Sequence, residues 1–166
     1  AIDVIFNNID VAGFDKSRIN SLLDTYGAVD YIVAGDYTSP DFLQNAEGIF
    51  EIDASSGNGK HAPESLRFVL VVPKSAYGQA PFPTALYCHG YTSMKVEALA
   101  FAGILAKFGI ATFVIDAYGH GLPLGDTFDV LVSSVLKKLE GEGLQYFFDA
   151  IKEGRARDIN NDKVFD

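Results

Sequence analysis

The sequence predicts an α/β fold with a mostly parallel central sheet flanked by helices. Three observations lead there. Residues 84–88 and 110–115 are short, almost continuous apolar runs, the pattern of strands covered on both faces. Between them, residues 93–108 place apolar side chains at helical spacing, so strand, helix and strand follow within about 33 residues. A third apolar run at 66–72 ends at Pro73 and supplies a further strand. A strand–helix–strand unit of this kind crosses over right-handed and pairs its strands in parallel.

Taken in order, residues 15–26 predict a helix from the spacing of Ile19, Leu22 and Leu23, closed by Gly27. A short strand follows at 29–33, and residues 48–53 alternate apolar and polar as a half-buried strand does. Residues 54–65 read as a loop, rich in the turn formers Ser55, Ser56, Gly57, Asn58 and Gly59. Residues 75–83 are a second loop, stopped by Pro81 and Pro83. After the strand at 84–88, Ser93 is placed to cap a helix that runs to Phe108 and closes at Gly109. Beyond Gly125 the pattern turns helical, at 129–140 and again at 144–152, and residues 154–166 are polar. The whole reads as one incomplete domain: an extension at 1–47, a core at 48–125, and a helical insertion with a polar tail at 126–166.

The 166 residues suit a single domain, and 48% hydrophobic with 21% charged residues is ordinary globular composition. Thirteen Phe and eight Tyr supply large buried areas. The net charge of −9, without a Lys/Arg cluster, argues against nucleic acid, which demands phosphate neutralisation, and against anionic membrane surfaces. No apolar run approaches the ~18 residues that span a bilayer. Cys88 is the only cysteine, so no intrachain disulfide and no cysteine metal site is expected. Its place inside an apolar run predicts a buried, inert thiol. The N-terminus shows no basic region followed by an apolar one, which fits a cytoplasmic protein or one whose leader has been removed.

The chemistry concentrates where buried strands give way to loops, because open α/β sheets bind ligands at the carboxyl ends of their strands. His89-Gly90-Tyr91-Thr92-Ser93 follows the first strand of the unit. Glycine at 90 permits a sharp turn, and the backbone amide of Tyr91 is then the natural donor to a carbonyl oxygen on which negative charge develops. Asp116-Ala117-Tyr118-Gly119-His120-Gly121 follows the second strand. Together these segments resemble the α/β-hydrolase superfamily, especially bacterial lipases and esterases. Residues 81–93 look like that family's third strand and oxyanion loop, and residues 116–121 like the Asp-x-x-Gly-His-Gly loop after its fourth strand. The likeness covers residues 48–125.

The resemblance implies a partial α/β-hydrolase fold, its N-terminal half only, and acyl transfer from a small-molecule ester to water through a serine acyl-enzyme. The family's nucleophile, acid and histidine come later in the chain, beginning at a Gly-x-Ser-x-Gly turn that is absent here. The Tyr91 amide is therefore the one catalytic position that carries over, with His89, Gly90, Asp116 and His120 structural beside it. The chain alone is expected to be inactive. A C-terminal half of the same hydrolase, or a second copy of the chain, is expected to cover the open edge and apolar surface left by missing strands. Export to the cell envelope or beyond is a further implication of the family. The alternative from another class is a non-catalytic binding or interaction module built on the same fold.

The remaining candidates carry blander readings. His61 sits in a loop beside Pro63 and is expected to be solvated, and the serines at 55, 56 and 93 lack a nearby base-and-orienter pair. Asp158, Asn160, Asp162 and Asp166 occupy relative positions one, three, five and nine, a pattern similar to a calcium loop, with Lys163 where such loops use glycine. The competing reading is a solvated acidic terminus. The ester chemistry itself requires no cofactor.

Overall fold

The computed structural model describes residues 16–43, 45, 47–91, 93–121, 146–147, 149–151 and 153–156, with the side chains of 16–19 excepted. Helix α1, Lys16–Tyr26, leads into strand β1, Val29–Asp41. Residues 42–43, 45 and 47–61 then form a lobe before strand β2, Ala62–Pro73. A 3-10 turn at Ser75–Tyr77 precedes strand β3, Thr84–Tyr87. The crossover comprises a 3-10 helix, Lys95–Ala100, and helix α2, Ala102–Lys107, and it delivers strand β4, Ala111–Ile115. Residues 146–147 and 149–151 are helical.

The sheet order is β1-β2-β4-β3. β3 and β4 are parallel, from Thr84↔Ala111 to Tyr87↔Val114, as the strand–helix–strand pattern predicts. β1 and β2 are antiparallel, from Val29↔Pro73 to Asp41↔Ala62, and so are β2 and β4, from Phe68↔Ile115 to Val71↔Thr112. The fold is thus α/β with a mixed sheet, and the expectation of a mostly parallel one is corrected. Antiparallel neighbours need only a reversal of the chain, whereas parallel ones need a crossover, and the helical crossover lies between β3 and β4.

Several element boundaries also move. β1 runs to Asp41 rather than ending near Val33, because its polar outer half completes a backbone ladder with β2 and adds the cross-strand pair Arg67–Asp36 at 2.8 Å. Residues 48–53 join no sheet; they make one isolated bridge, Ile52↔Gly59. The single helix expected from Ser93 is split at Phe101 into the 3-10 helix and α2. Gly109 closes α2 in the left-handed region, with φ of 70°, as a C-terminal glycine should.

One sheet face packs against the helices. Val69, Val71 and Val114 meet Tyr26, Ala98, Ala102 and Ala106 there, with Ala150 from the C-terminal helical segment. The alanines bring the helices close, and Gly103 brings α2 against Thr25 so tightly that a Cβ would lie 2.9 Å from the Thr25 carbonyl carbon. On the opposite face, Phe68 and Phe113 stack with ring centroids 5.0 Å apart, and Tyr37 meets Phe113 edge-on. β2 and β4 are interior strands, as expected. β3 is the last strand of the described sheet, and exposure alternates along it. Leu86 is 61% exposed, and Cys88 is exposed too, which corrects the buried thiol. An apolar run shows that a strand can be covered on both faces; what covers it depends on the neighbours the fold supplies.

Candidate functional site

Parallel pairing sets the loops after β3 and β4 side by side at the carboxyl end of the sheet, and His89 joins them. Its Nε2 accepts the Ala117 N–H at 3.0 Å, and its Nδ1 lies 3.0 Å from the Gly90 carbonyl. An acceptor at Nε2 requires the neutral ring with its proton on Nδ1, donated to Gly90 O. The 3.6 Å approach of Nε2 to Asp116 Oδ1 is therefore no ion pair, since that nitrogen has no proton to offer. His89 is buried and ties the turn after β3 to the loop after β4.

Asp116 is 2% exposed and takes two hydrogen bonds from one residue: the Lys95 backbone N–H to Oδ1 and the Lys95 ammonium to Oδ2, each 2.6 Å. The ammonium, 1% exposed, also donates to the Glu153 carbonyl at 2.7 Å. Asp116 thus caps the 3-10 helix from across the site, while Ser93 donates its hydroxyl to the Glu97 carboxylate instead of capping. Lys95 escaped the sequence reading because a lysine is presumed solvated. The signal available was its place at i, with Ala98 and Ala102 at i+3 and i+7, on a buried helical stripe.

His120 donates from Nδ1 to the Tyr118 carbonyl, 3.0 Å away. Its ring lies 5.1 Å from His89 and 5.9 Å, edge-on, from Tyr91. The 116–121 loop is pinned by two backbone bonds, Arg155 N–H to His120 O and Gly119 N–H to Arg155 O. At Gly121 the backbone takes φ of 119°, and an added Cβ would lie 2.5 Å from the Gly154 Cα, so only glycine fits. Arg155 also sits 5.3 Å from the Tyr118 ring centroid and pairs with Glu64 at 2.8 Å. Tyr118, Arg155 and Glu64 thus meet beside this loop, and no spacing in the sequence brings them together.

The Tyr91 side chain is 90% exposed. Among the described residues, its amide N–H makes no hydrogen bond. At Gly90 an added Cβ would meet nothing within 4 Å and φ is not left-handed. The turn does not demand glycine there, contrary to the steric reason the sequence offered; among the described residues nothing crowds the corner.

The hydroxyls nearby are not activated. Glu97 accepts from both Ser93 and Tyr87. The Ser93 bond first, and the Tyr87 bond second, hold its carboxyl below the usual range, while the same carboxylate pushes the Tyr87 phenol up. A carboxylate so stabilised is a weak base toward Ser93. Among the described residues no hydroxyl or thiol hydrogen-bonds a histidine ring. His61 is exposed in the lobe, edge-on to Phe42.

Among the described residues no group of three His, Cys, Asp or Glu side chains is arranged to hold a metal ion. The calcium candidates Asp158, Asn160, Asp162 and Asp166 lie outside the described residues, as does the expected helix at 129–140. No described helix is long and apolar enough to cross a membrane. No protein-family model matches the chain, and no curated protein matches it.

Proposed function

We propose that this chain is the oxyanion-bearing, N-terminal part of a serine ester hydrolase of the lipase or esterase kind. The observation that carries the reading is the Tyr91 amide, unbonded among the described residues, on an open corner just beyond the carboxyl end of β3, which is parallel to β4. When a serine oxygen adds to an ester carbonyl, the negative charge on the former carbonyl oxygen is met by that N–H; on collapse the alcohol leaves and water later releases the acid. A preformed donor of this kind is worth about 3–4 kcal/mol of barrier. His89, Asp116 and Lys95 hold the corner, and His120 braces the adjacent loop.

The serine, acid and base belong in this proposal to further polypeptide bearing a Gly-x-Ser-x-Gly turn, from the same gene product or another chain. The exposed Leu86 face and the side of β3 that no described strand pairs are where it joins. A small neutral ester is the substrate. No cofactor enters the reaction, and calcium bound at 158–166 would be structural.

The second reading, a non-catalytic binding module, is favoured by one observation: no described hydroxyl or thiol is paired with a histidine. One experiment separates the two. A gene product extending past Asp166 is treated with a fluorophosphonate probe and with p-nitrophenyl esters of several acyl lengths, beside the 166-residue chain. The ester-hydrolase reading expects labelling of a serine beyond residue 166 in the longer product and none in the short chain. An unlabelled, inactive longer product removes it and leaves the binding module.

A further inference from the structure

Residues 51–60 fold back on themselves as a hairpin with a single bridge. Asp53 N–H donates to Asn58 O at 2.8 Å and Lys60 N–H to Glu51 O at 2.9 Å, on either side of Ile52↔Gly59. Those two bonds make Ile52 and Gly59 a non-hydrogen-bonded antiparallel pair, so the Gly59 N–H points away from the facing segment. Among the described residues it has no acceptor. Phe42 and Phe50 pack over Gly59, 3.0 Å from where its Cβ would be, so a side chain there would displace both rings.

The residue before it is Asn58, the only asparagine in the sequence that precedes a glycine. Asn58 is exposed, and its carboxamide makes no hydrogen bond among the described residues. Its backbone alone is held, the N–H by Ser56 Oγ at 3.3 Å and the carbonyl by Asp53. Two other asparagines are placed differently. Asn45 commits its carboxamide to Ile49 O and Glu51 Oε1, each at 3.0 Å, and accepts the Ile49 N–H at 2.8 Å. Asn20 lies inside α1, where the next amide is a helix donor. At Asn58 an unbonded carboxamide adjoins an unbonded N–H on a residue with no side chain to block approach, which favours intramolecular attack. The Asp53–Asn58 bond has to open for the peptide plane to turn. A lone bridge between exposed segments opens at low cost.

We propose that Asn58 is a self-modification site, where the Gly59 nitrogen expels the side-chain amide and water then leaves aspartate or isoaspartate in the hairpin. Hydroxide takes the Gly59 amide proton. The nitrogen adds to Asn58 Cγ, and the Cγ–Nδ2 bond breaks with release of ammonia. Water next opens the resulting succinimide ring. Cleavage of the new N–Cγ bond gives aspartate. Cleavage of the original peptide C–N bond gives isoaspartate, with the main chain running through Cβ and Cγ. The sum is one amide and one water consumed, one carboxylic acid and one ammonia formed, with no oxidant or reductant. The product adds one negative charge to the chain's −9, beside the carboxylate of Asp53. Isoaspartate also lengthens one side of the hairpin by a methylene. The Asp53–Asn58 bond and the Lys60–Glu51 bond, with its ion pair of 2.8 Å, then no longer share one register.

Incubation of the folded 166-residue chain at mildly acidic and mildly alkaline pH tests this. The intact mass is expected to rise by about 1 Da, as NH2 is replaced by OH. The rate should grow in proportion to hydroxide, because the deprotonated amide is the attacking group. Fragmentation of the tryptic peptide 19–60 should place the change on Asn58 and leave Asn20 and Asn45 intact. An isoaspartate carboxyl methyltransferase should label the aged chain and not the fresh one. Asn58→Gln, which would have to close a larger ring, should lose both the mass gain and the label. Its thermal melt should match the parent, since the carboxamide it replaces is unbonded. No mass gain in the folded chain would overturn the proposal, and so would a gain in urea alone, because the bridge would then be holding the nitrogen away. A gain that persists in Asn58→Gln, an equal change at Asn20 or Asn45, or a gain without the label would overturn it as well.

Discussion

Replacing Asp116 by Ala removes the one carboxylate that, among the described residues, pairs with the buried Lys95 ammonium, at 2.6 Å, and that also accepts the Lys95 backbone N–H at 2.6 Å. Both side chains are at most 2% exposed, so solvent cannot take over the lost interaction. Breaking a buried pair by deleting one partner costs about 3–5 kcal/mol, most of it the price of the stranded charge. A loss of about 4 kcal/mol is a large share of the roughly 5–15 kcal/mol that holds a typical domain. For a chain of this size it lowers the melting temperature by about 8–16 °C and the urea midpoint by about 2 M. Urea unfolding followed by circular dichroism measures it. Asp116→Asn combined with Lys95→Met removes both charges and keeps an oxygen for the Lys95 amide. That double variant should recover more than half of the loss. An Asp116→Ala cost below about 1 kcal/mol, or a double variant no more stable than the single one, would show that the ammonium is hydrated and would refute the clamp.

Two other side chains make predictions of opposite sign. Burial pushes the Tyr26 phenol well above its ordinary value, and its hydroxyl donates to the Leu99 carbonyl at 2.6 Å. The unfolded phenol ionises near about pH 10 while the folded one keeps its proton, so this contribution is complete below about pH 10 and is lost as pH rises further. Tyr26→Phe should cost about 1 kcal/mol at neutral pH and flatten the alkaline decline; urea midpoints at about pH 8 and about pH 11 in parent and variant would show the same decline if the reasoning fails. Thr112 is fully buried on β4, and its hydroxyl finds no hydrogen-bond partner among the described residues. Thr112→Val keeps the shape and removes the unsatisfied group, so it should stabilise by about 1 kcal/mol; a lower melting temperature would mean the hydroxyl is satisfied after all.

The strands β2 and β4 and the crossover before β4 were legible because apolar runs and helical spacing are local properties. The outer half of β1 was not, since Asp36 and Thr38 interrupt the apolar pattern and are held in the strand only by the β2 beside them. The faces of β3 were misread for a related reason: Leu86 and Cys88 look buried in the sequence and are exposed because no described element covers their face, whereas Tyr87 on the other face meets Phe101. At the candidate site, the pairing of the His89 and Asp116 loops was legible from two strand ends flanking one crossover. Lys95 was not, because its carboxylate partner lies 21 residues away and is brought to it by the parallel pairing of β3 and β4.

What the amino-acid pattern determined by itself is the local grammar: where the chain extends, where it winds, and that two loops rich in His and Gly follow apolar strands. Those choices depend on side-chain periodicity and on glycine and proline within a few residues. Strand direction and the buried Lys95–Asp116 clamp were decided only by tertiary structure. Each depends on groups far apart in the chain, and their energies exist only once water has been excluded from between them.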